Sequence, residues 1–155
     1  MKLESDTHNE MRGFNSIKES DADVLVFAGD IDVGVRGIKW ALEISEQQNK
    51  PVIYVAGNHE FYGHNYTKLL ADMRAFAKPH AKLHFLENDE VVIDGVRFLG
   101  ATLWTDYLGD KSTSRSYNML ELSMCLNDHR VIRFDERKFE PEDALKIHQQ
   151  SVKWL

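Results

Sequence analysis

The sequence lacks the features that mark special classes of protein. It contains a single cysteine, Cys125, so no internal disulfide can form and a reducing, cytoplasmic compartment is expected. Within Leu120-Glu121-Leu122-Ser123-Met124-Cys125-Leu126 that thiol reads as a small buried apolar residue rather than a nucleophile. No apolar stretch approaches the roughly 20 residues needed to span a bilayer. The opening Met1-Lys2-Leu3-Glu4-Ser5-Asp6 lacks the apolar centre of a signal peptide, so no membrane partner is expected. There is no basic surplus: 19 Lys and Arg stand against 25 Asp and Glu, for a formal net charge of −6. That balance argues against a nucleic-acid groove or an anionic membrane surface as the main partner. It leaves a phosphate-ester substrate open, because bound divalent metals reverse the local field. Internal repeats and low-complexity tracts are also absent. What remains is an ordinary globular composition, with length enough for one domain over residues 1–155 and a real core.

The pattern of apolar residues alternates between strands and helices. Val24-Leu25-Val26-Phe27-Ala28 is apolar on both faces and reads as a buried strand closed by Gly29-Asp30. Gly37 to Asn49 reads as a helix with Ile38, Ala41, Leu42 and Ile44 along one stripe. Pro51 opens a second buried strand through Ala56, which ends in Gly57-Asn58-His59-Glu60. A helix is expected over Asn65 to Ala77, and a short strand at Leu83 to Leu86. The Asp94-Gly95 pair between Val91-Val92-Ile93 and Val96-Arg97-Phe98-Leu99 predicts a tight hairpin. Thr105 to Glu140 is polar and irregular, with a helix near Ser116 to Leu126, and Pro141 opens a last helix to Trp154. Strand-helix-strand order over Val24 to Ala56 implies a parallel pair, and ligands of such sheets bind beyond the strands' carboxyl ends.

Asp30 and Asn58 stand at those ends, and with Asp6-Thr7-His8 they complete three blocks rich in metal-binding groups. Carboxylate, imidazole and amide oxygen suit hard or borderline divalent ions. Two ions about 3.5–4 Å apart can clamp the attacking and leaving oxygens of a phosphoryl displacement. Asp30, in the middle, is the candidate bridge. Asp6 and His8 are two apart, so on an extended chain they would point the same way and chelate one ion. Asn58 offers an amide oxygen to the second ion. His59 could hydrogen-bond the leaving group as proton donor or charge stabiliser.

The order Asp-x-His, Gly-Asp, Gly-Asn-His-Glu resembles the calcineurin-like metallophosphoesterase superfamily. Ala22 to Asp32, Asp94 to Trp104 and the closing helix resemble its bacterial stand-alone branch. The resemblance implies an α/β four-layer α-β-β-α sandwich, with this chain as the family's N-terminal part and the C-terminal strands missing. It implies hydrolysis of a small phosphate ester, mono- or diester, by two divalent ions (Mn, Fe or Zn) and a bridging hydroxide. Asp6, His8 and Asp30 would bind the first metal, Asp30 and Asn58 the second, and His59 would be the catalytic histidine.

Two departures from the family pattern accompany this. The family's later Gly-His-x-His block has no counterpart, and His80, His84, His129 and His148 match no ligand motif. The segment before Asp6 is barely apolar, so weak anchoring of Asp6 and His8 is expected. These departures keep other readings open: a non-catalytic relative that self-associates through an exposed sheet edge, or a half-site completed by a partner chain. His148 reads as a packing or helix-surface histidine and His84 as facing solvent. Tyr62 and His64 either touch substrate at the site mouth or pack their loop. Asp32 either orients His59 or lies in a solvated turn. Asp106, Asp128 and His129 sit in the irregular region, where a substrate pocket could form.

Overall fold

The computed structural model describes residues 1–13, 17–109 and 112–155. Strand β1 (Lys2–Glu4) leads into a short α1 (Asn9–Arg12), then β2 (Leu25–Ala28), α2 (Arg36–Gln48) and β3 (Val52–Val55). Next come α3 (Tyr66–Ala77), β4 (Leu83–Phe85) and the hairpin β5 (Asp89–Ile93) and β6 (Val96–Gly100). Helices α4 (Arg115–Cys125) and α5 (Asp128–Val131), the short pair β7 (Arg133–Phe134) and β8 (Arg137–Lys138), and α6 (Pro141–Trp154) complete the chain.

The first four strands form one parallel sheet in the order β1-β2-β3-β4. Alternate residues of β2 and β3 serve two layers, which is why both runs are apolar throughout. On one face Leu25, Phe27, Val52 and Tyr54 pack with Ile38, Trp40, Ala41 and Ile44 of α2 and Leu69 and Met73 of α3. On the other, Val24, Ile53 and Leu86 meet Val26, Val55, Val91, Ile93 and Phe98, so the hairpin covers that side. The α/β expectation holds, and within the described residues the layer expected as a second sheet is the two-stranded β5–β6 pair around Asp94-Gly95.

One expectation needs correction and one segment proves more ordered than its composition suggests. The barely apolar N-terminus forms a strand, paired with β2 from Lys2↔Leu25 to Glu4↔Phe27. Ladder hydrogen bonds rather than burial hold it, since Leu3 is 58% exposed on this edge strand. Cys125 is exposed rather than buried, because α4 has no buried residue on any face.

The region from Thr105 to Glu140 contributes more to the core than its polarity suggests. Tyr107, Ile132 and Phe139 are buried. Phe139 meets the Trp104 ring at 4.6 Å, and Phe61 meets Tyr66 at 4.7 Å, in one aromatic cluster between α3 and α6. Asp110 and Lys111 of this region lie outside the described residues. A reciprocal cap formed by Glu140 and Asp143, with Pro141 in the first turn, starts α6 as its sequence predicts. Among the described residues no helix is long and apolar enough to cross a membrane.

Candidate metal centre

The site forms where three loops leave the carboxyl ends of β1, β2 and β3. The β1 loop runs beside the β2 loop: Asp6 N–H donates to Gly29 O at 3.1 Å and His8 N–H to Asp30 O at 3.0 Å. Asp6, His8 and Asp30 all take left-handed backbone, with φ of 52°, 46° and 56°. Non-glycine residues rarely hold this conformation, and such strain concentrates at functional sites.

This path brings one donor atom each from His8, Asp30 and His59 within 4.8 Å of one another. Asp30 Oδ1 accepts the backbone N–H of His59 at 3.0 Å, which ties the β2 and β3 loops together. The His8 and His59 rings meet edge-on with centroids 4.3 Å apart. Asp6 lies outside the group and is exposed. Its left-handed backbone replaces the extended geometry that would have aligned its side chain with that of His8. The backbone anchoring of this segment is nonetheless firm, contrary to the weak anchoring expected.

Glu10 completes the cluster and was not singled out from sequence, although an acid two residues after His8 was a visible signal. Its Oε1 lies 3.2 Å from His8 Nδ1 and 3.1 Å from His59 Nδ1. Burial would raise this carboxyl, but hydrogen bonds from its own backbone N–H, His59 and His8 outweigh it and hold Glu10 below the ordinary carboxylate value. A carboxylate accepts only, so both imidazoles carry hydrogen at Nδ1 and present Nε2 as the lone-pair atom.

Asn58 sits one residue before His59 and has a different set of neighbours. Its Nδ2 donates to Asp128 Oδ1 at 2.8 Å and to Tyr62 Oη at 3.0 Å, while Tyr62 donates to the same Asp128 oxygen at 2.9 Å. Tyr62 also stacks on His59, with centroids 4.3 Å apart. Of the residues weighed at the site mouth, Tyr62 therefore belongs to the site. His64 is exposed and turns toward Gly34 instead. Asp128 comes from the irregular region, where it was weighed only as part of a possible substrate pocket, and no motif linked it to Asn58.

Glu60 is 0% exposed and organises the backbone of all this. It accepts N–H groups from Asp30, Ile31 and Gly57 at 3.0, 2.9 and 2.7 Å, and the Tyr54 hydroxyl at 2.8 Å. Asp32 is neither solvated nor bonded to His59. It is 1% exposed, accepts Val33 N–H at 2.6 Å and pairs with the Arg36 guanidinium, so it fastens the start of α2.

The remaining candidates lie elsewhere. Asp106 closes its own turn by accepting Leu108 N–H at 2.9 Å. His129 is buried between the Tyr107 hydroxyl at 3.2 Å and Phe139 O at 3.1 Å. His148 Nδ1 reaches Leu103 O at 2.7 Å, in keeping with a packing role on α6. His80 packs its ring on Phe76 at 5.4 Å. His84 is half-buried rather than solvent-facing, and burial holds its imidazole below the ordinary value.

Fold and cluster together define an α/β protein with two imidazoles and a carboxylate converging at the carboxyl ends of parallel strands. The donor set suits a borderline divalent ion, and the buried Oε2 of Glu10 has no partner among the described residues. The calcineurin-like phosphoesterase family model matches residues 5–154, and the chain belongs to that family. A protein of Acanthamoeba polyphaga mimivirus designated L509, itself uncharacterized, is 25% identical over 149 residues. The match covers 88% of this chain and 50% of L509, so the chain spans half the length of that curated relative. The crystal structure of phosphopantetheinyl hydrolase (PptH) from Mycobacterium tuberculosis superposes with a TM-score of 0.70 at 18% identity. It covers 98% of this chain and 60% of that one, which shows the shared fold.

Proposed function

We propose that this chain carries the metal centre of a hydrolase acting on small phosphate esters. The observation that carries the reading is the convergence of His8, Asp30 and His59 from three separate loops. His8 and Asp30 would hold a divalent ion, with Asp6 swinging in from its exposed position, and Asp30 with Asn58 would hold a second; Mn, Fe or Zn all suit these donors. Bound ions of this kind polarise phosphoryl oxygens and stabilise the charge that develops in displacement.

The chain's own groups do the rest. Glu10 fixes both imidazole tautomers through Nδ1, which leaves Nε2 of His8 free to hold an ion and Nε2 of His59 free to meet a substrate oxygen when these are bound. After taking up a proton at Nε2, His59 would donate it to the leaving oxygen and return to the Nδ1–H tautomer. Stacking on Tyr62 restrains the His59 ring.

The test is turnover of p-nitrophenyl phosphate and bis(p-nitrophenyl) phosphate by the full chain with added Mn2+. Metal-dependent release of nitrophenolate is expected, falling at least about 100-fold in Asp30→Asn with an unchanged melting temperature. Normal turnover in folded Asp30→Asn, or none in the wild type at any Mn2+ concentration, overturns the reading.

A further inference from the structure

We infer that Asp128 is a positioning residue for Asn58: it fixes which end of the amide faces the ion. This deepens the proposed function and rests on it. An asparagine amide has two ends of nearly equal shape and opposite chemistry: the oxygen attracts a cation and the NH2 group repels it. Which end faces the site is decided by what holds the other end.

Here Asp128 and Tyr62 hold it. Both Nδ2 hydrogens are used, one on Asp128 Oδ1 at 2.8 Å and one on Tyr62 Oη at 3.0 Å. A carboxylate can only accept, so the amide nitrogen must face Asp128 and the amide oxygen is turned away from it. Tyr62 locks the arrangement by donating its own hydrogen to the same carboxylate oxygen.

Local structure does not account for Asp128. It stands in the first turn of α5, where an acid commonly serves the helix's free N–H groups. Its bonds run instead to Asn58 and Tyr62, 70 and 66 residues away, and the residue is 9% exposed. A buried acceptor aimed at a candidate ligand's donor end is how second partners orient metal ligands.

The experiment is a titration of the full chain with Mn2+ alone, reading free Mn2+ by electron paramagnetic resonance. Asp128→Ala should weaken the Asn58-dependent binding step by about tenfold, the scale of losing an orienting partner, with the melting temperature held. If alanine does not fold, Asp128→Leu keeps the volume without the acceptor and carries the same expectation. The deciding comparison is in the Asn58→Asp background. A carboxylate has two identical ends and needs no orientation, so there Asp128→Ala should cost nothing and should relieve like-charge repulsion. An equal loss in that background means that Asp128 acts structurally or binds the ion itself, and the inference fails. Wild-type affinity in Asp128→Ala also sinks it while leaving the metal reading intact. A wild type that takes up no Mn2+ defeats the metal reading, and the inference falls with it.

Discussion

Glu60 Oε2 accepts the backbone N–H of Asp30 at 3.0 Å, across thirty residues of sequence. The acid that ends the Gly-Asn-His-Glu block thus holds the backbone of the residue at the centre of the site. Burial raises its carboxyl above the ordinary value even though Ile31 N–H, Tyr54 and Gly57 N–H all donate to it.

Glu60→Ala should therefore be strongly destabilising. It leaves three backbone N–H groups and a phenol without their acceptor, at about 1–3 kcal/mol for each group left buried and unsatisfied. A loss of roughly 3 kcal/mol or more is expected from the urea midpoint, and Glu60→Gln, which keeps one accepting oxygen, should lose less. An alanine variant within about 0.5 kcal/mol of wild type would contradict this role for Glu60.

Gly57 is required by a close approach. A Cβ there would meet the Asp30 backbone nitrogen at 2.7 Å and also run into the Asp30 carboxylate. Gly57→Ala must push Asp30 away, so Mn2+ affinity should fall by about tenfold or more, and a crystal structure should show Asp30 displaced. Unchanged Mn2+ binding would mean that the contact is relieved elsewhere.

The start of α6 should make stability depend on acid. Asp143 accepts two bonds from the Arg137 guanidinium at 2.6 and 2.7 Å and the Glu140 N–H at 2.9 Å. Burial raises its carboxyl, but these donors outweigh it, and the folded value lies below the ordinary 3.8. A depressed acid stabilises the fold above its unfolded value, and the contribution is lost as pH falls through the folded value. Asp143→Asn should cost about 1 kcal/mol at pH 7, and the gap between wild type and variant should close below about pH 4. A gap independent of pH in thermal melts from pH 7 to 3 would count against the charged cap.

Cys125 should be open to reagent in the native state. It lies on α4, which buries none of its residues. One thiol per chain should react with Ellman's reagent without denaturant, and the labelled protein should melt at the wild-type temperature. Reaction only after unfolding would place Cys125 in an interface.

Much of the fold was legible because the signals are local. The apolar runs at β2 and β3, the helical stripe of α2 and the Asp94-Gly95 turn each carry their own period or turn chemistry, and the structure follows them within a few residues. β1 was hard to read because an edge strand can be held by its ladder alone, which leaves no apolar signature. Cys125 was misread for the converse reason. A run of apolar residues says that something could be buried, not that a neighbour stands there to bury it. The site divides the same way: His8, Asp30 and His59 were legible as motif residues, whereas Asp128 carries no local pattern at all.

By itself the sequence determined the chemistry on offer and roughly where it sits: two imidazoles and a carboxylate in three blocks, two of them closing apolar strands of a parallel sheet. Side-chain type and strand period are local properties, so they survive in one dimension. Only the tertiary structure decided which groups meet. Left-handed turns at Asp6 and His8 leave Asp6 outside the cluster while His8 enters it. Glu10 joins two imidazoles, Glu60 ties two loops, and Asp128 reaches Asn58 across 70 residues. Such pairings depend on how separate segments pack, and loop backbone conformation, unlike periodicity, is set by that packing.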